Sequence, residues 1–493
     1  MSRAFEPAGS VNAPVGADGS AQPTLGKNEI RLGGSIIFAM SGAAPGQTIA
    51  ITLGLLVATA AYATIVPLIV TIAGLLCIAL AFHRLNMWRQ NAGATFEWVA
   101  RAFNPFAGNL VGWLMLVAFG GFVLIDVITI GPSVLSLIGV SPTNQWAGAA
   151  AIVIIGTALT ATAVVGLRPS ARLQVTVALI EYTILAVFII WAFVAVYITH
   201  KSGTVHPNLH WLSFSAAGGS FSASMIIAVA AIAGWDAGIY VNEETARPEK
   251  NPGLGAVIGV AILGVIFVLM FATFQGISPL GALQAHDANA AAFVGQRLGG
   301  TAGEHIMSLA VVLSVLATTQ VAIIGTSRLI FSMSRDRVLP PRLATISPRF
   351  RTPALTTSLL GGLMIVLGVV DIFATSVDNA ISDLISVSGF LYSLFYAITG
   401  LAAAWFYRRQ LGKSVADALL LGVLPLAGAG LLIWVAVKAA QALNGAERGI
   451  LIAIAVLGVV LMIVAARVYK APIFQLKRET ASTVEATVQI GAD

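Results

Sequence analysis

Twelve apolar runs, each about as long as a bilayer's hydrocarbon core is thick, leave this chain one kind of fold. A helix needs roughly 20 residues to cross that core. The runs lie near residues 34–58, 60–82, 107–136, 146–166, 173–198, 219–241, 254–276, 305–333, 353–373, 380–406, 415–437 and 449–469. They are too long and too continuously apolar for the alternating strands of a membrane barrel, so helices are the elements that satisfy the backbone. Charged residues make up 10% of the 493, against roughly a quarter in a soluble domain, and they crowd between the runs. The fold expected is an all-α integral membrane protein of twelve transmembrane helices.

Basic residues orient such a bundle, because loops that stay inside the cell carry the excess of Lys and Arg. With an even number of spans both termini share a side. If that side is cytoplasmic, 23 of the 27 Lys and Arg face the cytoplasm, and only Lys201, Arg297, Lys438 and Arg448 lie outside. The expected location is therefore the cytoplasmic membrane, multi-pass, with both termini in the cytoplasm. The net charge of +6 is accounted for by this topology rather than by a nucleic-acid partner. Residues 1–32, rich in Gly, Ala, Pro and Ser, read as a disordered cytoplasmic tail, and residues 470–493 as a second one. The first apolar run starts near Gly33, too late for a cleaved signal peptide, so span 1 is expected to be the insertion signal. One cysteine, Cys77, allows neither an intramolecular disulfide nor a cysteine metal cluster.

Spans 1–5 (33–198) and 6–10 (219–406) are of comparable length and opposite orientation, because five is odd. That is the arithmetic of a 5+5 inverted repeat, with spans 11 and 12 (415–469) accessory. The outer segment 276–304 is long enough for a surface helix, expected over Ala288–Arg297.

Two spans are interrupted. Span 1 carries Met40-Ser41-Gly42-Ala43-Ala44-Pro45-Gly46, and span 6 carries Ala233-Gly234-Trp235-Asp236-Ala237-Gly238 at a similar depth. Proline removes a backbone donor, and glycines accept non-helical torsions. Matched breaks at the start of the two halves point to a binding site. A broken helix offers amide donors where it restarts, near Gly46–Thr48, and carbonyl acceptors where it stops, near Ala39–Ser41. Donors suit a carboxylate and acceptors an ammonium, so the ends together fit an amino acid. The plain alternative is a packing kink, since small residues let membrane helices approach closely.

Four stretches resemble the amino acid-polyamine-organocation (APC) superfamily of amino acid permeases. Asn91-Ala92-Gly93-Ala94-Thr95-Phe96-Glu97-Trp98-Val99 with Gly112-Trp113 is similar to the family's P-x-A-G-G-x-Y segment and the Gly-Trp after it. Gly166-Leu167-Arg168-Pro169-Ser170-Ala171-Arg172-Leu173-Gln174 is similar to G-x-K-x-S-A-x-x-Q. Gly234-Trp235-Asp236 with Asn242-Glu243-Glu244-Thr245-Ala246-Arg247-Pro248 resembles G-F-E/D … E-E-x-x-N-P. Ser327-Arg328 through Met333-Ser334-Arg335-Asp336-Arg337-Val338-Leu339-Pro340, then Arg351-Thr352-Pro353, resembles S-R-x-x-x-x-M-A-R-D-G-x-L-P … T-P. The resemblance covers about residues 33–406 and implies a LeuT-like fold with discontinuous helices 1 and 6, alternating access, and a site between spans 1, 3, 6, 8 and 10. The chain departs from the family's G-x-G-I in span 1. Where several members have a coupling lysine in span 5, the nearby ionisable residue here is Glu181.

The substrate-binding candidates are Ser41, Gly42, Ala43, Ala44 and Gly46 of span 1, with Ala233, Gly234, Trp235 and Asp236 of span 6. Trp235 is read as shielding the substrate and Asp236 as a substrate or gating group, or as an N-cap to the restarted half of span 6. Glu181 and Asp236 are the proton-coupling candidates, because an ionised carboxyl at a span centre costs roughly 2.5–3.5 kcal/mol and invites a proton. Asp126 and Asp383 are read as outer vestibule or packing residues. Thr318, Thr319 and Gln320 with span 1 carbonyls make a possible Na⁺ site, although hydroxyls in membrane helices commonly bond their own backbone. His200, His206 and His210 read as a plain outer loop without a metal, and Glu243 and Glu244 as inner-gate partners of Arg168 or Arg335.

The function expected is secondary transport of an amino acid by alternating access as a proton symporter, with no cofactor and no catalytic residue. Alternatives of the same fold are an amine or polyamine transporter and an amino acid exchanger. The partners expected are the small-molecule substrate, a proton in preference to Na⁺, and the lipid bilayer, with oligomeric state left open.

Overall fold

The computed structural model describes residues 24–141, 143–213, 220–286, 289–374, 380–475 and 478–481. Most of both expected tails, 1–23 and 482–493, and Ala288 of the expected surface helix lie outside the described residues. Among the described residues twelve helices are long and apolar enough to cross a membrane. There is no β-ladder among them, only an isolated bridge between Ile30 and Thr245.

The spans are Leu32–Ala60, Ile65–Trp88, Pro105–Leu137, Gln145–Val165, Leu167–Ile198, Phe221–Ile239, Asn251–Phe274, Ala290–Arg335, Ala354–Phe373, Asp383–Tyr407, Val415–Ala442 and Gly445–Arg467, numbered 1 to 12. All twelve match the sequence expectation. The largest difference is span 8, whose helix continues to Ala290, but Gly299 and Gly300 leave helical torsions and separate the expected outer surface helix from the span itself. A second difference is the short helix Thr95–Ala102, in a segment with no expected span.

Apolar side chains form the spans, while capping groups decide where several begin. Asn104, Asn144, Ser220 and Asn289 each accept from a backbone amide three residues on. Asn444 and Glu447 form a capping box at the start of span 12. Such pairing satisfies amides that the first turn of a helix leaves without an intrahelical partner.

Spans 1, 6 and 8 are the most enclosed, and span 12 is the least. Span 2 packs on span 7, span 3 on span 8 and span 4 on span 9, and the first half of span 1 meets span 6. Two halves of five spans related by a two-fold axis would produce this pairing of spans 1 to 4 with the one five later.

Candidate functional site

Span 1 is two helices, Leu32–Gly42 and Pro45–Ala60. Ala44 turns left-handed at φ 44° and ψ 64°, and Pro45 opens the second helix, where its missing amide proton costs nothing. Span 6 stops being α-helical at Ile232, passes Gly234 at φ +91°, and continues as a tight 3₁₀ turn, Trp235–Ile239. The two breaks touch. A Cβ on Gly42 would run into the Gly234 carbonyl, and one on Gly234 into the Gly42 carbonyl, so glycine is required on both sides.

The ends of span 1 are engaged by the chain itself. Gly46 N–H donates to Glu181 Oε1 at 3.1 Å, so the amide expected to receive a substrate carboxylate holds a protein carboxylate. Thr48 N–H bonds Ala44 O at 2.8 Å as an ordinary helical turn. On the acceptor side Thr318 Oγ1 donates to Ser41 O at 2.9 Å. Around this junction Ser41 Oγ, Glu181 Oε2, Tyr182 Oη and Ser314 Oγ are buried, and among the described residues none of the four makes a hydrogen bond of full geometry.

The span 6 break is bound to span 10. Tyr396 Oη accepts from Gly234 N–H at 3.3 Å and donates to Asp236 Oδ1 at 2.7 Å. Tyr240 Oη donates to Asp236 Oδ2 at 3.1 Å. Asp236 is therefore not an N-cap. The residue before the turn is Gly234, no side chain caps it, and both carboxylate oxygens take tyrosine hydroxyls. Trp235 is fully buried, stacks on Tyr396 at 5.1 Å between centroids, and meets Phe82 edge-on at 5.1 Å. Asp236 thus sits beside aromatic rings, a setting that favours a cation by charge and by ring quadrupole.

The remaining candidates divide. Thr318 meets span 1, whereas Thr319 donates to Val315 O and approaches Asp126 Oδ2 at 3.4 Å, so the structure does not bring both threonines to the Ser41 carbonyl. Gln320 braces span 8 to Ser170 and Thr162. Asp126 is fully buried between spans 1, 3 and 8, not in a vestibule, and its Oδ1 has no partner. Asp383 is partly exposed and accepts from Asn444 at 3.4 Å. Among the described residues none of Asp126, Glu181 and Asp236 forms an ion pair. His200 and His206 bring their Nδ1 atoms to 3.1 Å, and no group of three metal-ligating side chains occurs among the described residues.

At the basic end, ion pairs tie the elements together. Arg328 grips Glu244 with two bonds, at 2.9 and 3.3 Å, both side chains buried. Arg335 pairs with Glu243 as expected, but Arg168 pairs with Glu29 instead, at 3.0 Å. Glu97 takes both Arg89 and Arg101, and Arg101 also takes Glu479. The segment before span 1 lies along the exit from span 6, with Glu29 N–H on Glu244 O and Ala246 N–H on Ile30 O.

A model of the family described as amino acid permease matches residues 33–476. The chain belongs to this amino acid permease family, within the APC superfamily. It is 24% identical to the branched-chain amino acid permease BcaP of Bacillus subtilis over 318 residues, 60% of this chain and 65% of that one. To the methylthioribose transporter of the same organism it is 29% identical over 218 residues, 43% of each chain. To the low-affinity putrescine importer PlaP of Escherichia coli K12 it is 22% identical over 362 residues, 72% of this chain and 76% of the other. The chain thus spans less than two thirds of the first two relatives. As an APC member with twelve spans and breaks in spans 1 and 6, it is a multi-pass membrane protein of LeuT-like architecture.

The aromatic and hydroxyl groups of the site, Tyr396, Tyr240, Phe82, Tyr182 and Ser314, escape sequence reasoning. Tyr392 and Tyr396 stand four apart on span 10, one helical face, and that spacing was the available signal.

Proposed function

We propose that this permease carries a small solute bearing a primary ammonium, an amino acid in the first reading, through alternating access as a proton symporter. The observation that carries the reading is the contact of the two helix breaks beside Asp236, a buried acid held by tyrosine hydroxyls and without an ion-pair partner among the described residues. The ammonium is taken by Asp236 and the carbonyl end of span 1. Ser41, Gly42, Ala43, Ala44 and Gly46 supply one wall, and Ala233, Gly234 and Trp235 supply the other. Glu181, buried on the Gly46 amide, carries the coupling proton.

The two halves that rock against each other are residues 33–198 and 219–406, with 415–469 accessory. Both termini lie in the cytoplasm and the host membrane is the cytoplasmic one, a reading supported by the 23-to-4 distribution of basic residues.

A second reading, an amine or diamine as cargo, is favoured by one feature: Asp236 lies among Trp235, Tyr240 and Tyr396, whereas the Gly46 amide already holds a carboxylate. The likeness to a putrescine importer points the same way. Uptake into proteoliposomes of a labelled amino acid panel, competed by each amino acid's decarboxylated amine, separates the two. If no amino acid and no amine accumulates or exchanges, both readings fail.

A further inference from the structure

Away from the helix breaks, a cavity of about 170 Å³ opens at the basic end of spans 2, 10 and 11, lined by Arg84, Trp88, Tyr407, Gln410, Asp417 and Leu421. That is far above the ~10–15 Å³ a single water needs. Its walls are fixed: Tyr407 Oη donates to Arg84 O at 2.8 Å, and Trp88 stacks on Phe406 at 3.9 Å between centroids.

Two opposite charges face this space without meeting. Arg84 and Asp417 form no ion pair, and among the described residues nothing accepts a hydrogen bond from the Arg84 guanidinium. Asp417 Oδ2 accepts from Ser414 Oγ at 2.8 Å, which orients the carboxylate and leaves Oδ1 without a donor among the described residues. Span 11 then widens into a π-helix over Ala418–Val423, with Leu421 turned into the cavity and Leu419 and Val423 exposed. On span 10, exposed Trp405 lies under the Arg408 guanidinium at 4.2 Å, the pairing of ring and cation that marks a headgroup level.

We propose that this cavity seats the headgroup of an aminophospholipid, with its phosphate on Arg84 and its ammonium on Asp417. A zwitterion supplies both missing partners at once, and the gap between the two side chains is where its two-carbon arm lies. The acyl chains run along the exposed Leu419 and Val423. A guanidinium holds phosphate by charge-assisted bonds, and a primary ammonium gives the carboxylate N–H donors that a trimethylammonium lacks. Phosphatidylethanolamine therefore fits, phosphatidylcholine loses the Asp417 bond, and phosphatidylglycerol has no cation for Asp417.

The test is native mass spectrometry of the detergent-purified full chain after addition of each of the three lipids with matched acyl chains. The wild type should retain phosphatidylethanolamine over phosphatidylcholine by about tenfold, the worth of one charge-assisted hydrogen bond. Asp417→Asn should abolish that preference, and Arg84→Gln should weaken retention of phosphatidylethanolamine. Free phosphoethanolamine should fail to displace the lipid at equal concentration, because it lacks the acyl contacts; displacement would show that a soluble zwitterion is the ligand and overturn the lipid assignment. Equal retention of phosphatidylethanolamine and phosphatidylcholine by the wild type overturns the proposal without any variant, as does preference for phosphatidylglycerol.

Discussion

Gly46 N–H donates to Glu181 Oε1 at 3.1 Å, joining span 1 at its break to span 5 across 135 residues of chain. The bond puts a protein carboxylate on the amide end of a restarted helix, where the helix dipole favours negative charge. Beside it Ser41 Oγ and Ser314 Oγ make no hydrogen bond of full geometry among the described residues, so the junction has polar atoms for a second arrangement. Glutamine at 181 keeps an oxygen for the Gly46 amide but cannot exchange a proton. One coupled proton is worth 1.36 kcal/mol per unit of pH gradient, about tenfold in accumulation. Glu181→Gln should reduce that factor to near one while leaving solute exchange in place, measured by uptake with an imposed pH gradient. An unchanged response to the gradient removes Glu181 from coupling.

The contact of Gly42 with Gly234 leaves no space for a methyl group. Gly234→Ala adds a clash to a left-handed torsion, φ +91°, that side-chain-bearing residues rarely adopt. Overpacking of this kind costs about 1–3 kcal/mol. The variant should melt at lower temperature and lose uptake, and wild-type values for both would show that the breaks separate readily.

Two ion pairs at the basic end should respond very differently. Arg328 and Glu244 are 0% and 1% exposed, so Arg328→Met strands a buried carboxylate at a cost of about 3–5 kcal/mol. Adding Glu244→Leu should recover most of that loss. Arg335 and Glu243 are 37% and 24% exposed, and Arg335→Gln should cost less than about 1 kcal/mol. Denaturation of the four proteins in detergent checks the order, and equal losses for Arg328→Met and Arg335→Gln would contradict it.

Asp336 follows span 8, and its Oδ2 is buried without a hydrogen-bond partner among the described residues. Burial, then the charge of Glu97, pushes its carboxyl up to about 7, against the weaker opposing pull of Arg335, Arg101 and Arg89. The folded chain therefore holds a proton there between pH 3.8 and about 7 that the unfolded chain releases. The resulting stability is present at acid pH and is lost as pH rises through about 7. The melting temperature of the wild type should fall between pH 5 and pH 8 by more than that of Asp336→Asn. Parallel pH profiles would show that Asp336 does not titrate in this range.

The spans were legible because crossing a bilayer demands a length and an apolar composition that no loop here has. The span 1 break was legible because Gly42, Pro45 and Gly46 cannot all continue a helix. Partnerships were not. Gly46 with Glu181, Tyr396 with Asp236 and Arg328 with Glu244 join residues 84 to 160 positions apart. They depend on how each span is rotated, and a helix apolar on every side carries no periodicity that reveals its rotation. Asp126 shows the consequence: its depth suggested an outer vestibule, but its rotation buries it against Thr319. The place of Glu243 and Glu244 at the basic end of span 6 pointed to arginine partners, but it did not separate Arg168, which turns to Glu29, from Arg335, which pairs with Glu243.

On the reading proposed, the paired breaks beside Asp236 bind a solute through its ammonium. Its most direct test is equilibrium binding and uptake of the transported amino acid or amine, once identified in the competition panel, by wild type and Asp236→Asn in the same proteoliposomes. Losing a charge-assisted bond to a buried carboxylate costs about 1.5–3 kcal/mol, roughly 10- to 150-fold in affinity. Asp236→Asn should show that weakening, with little change in melting temperature because asparagine still accepts from the Tyr396 hydroxyl. Wild-type affinity and uptake in Asp236→Asn would contradict it.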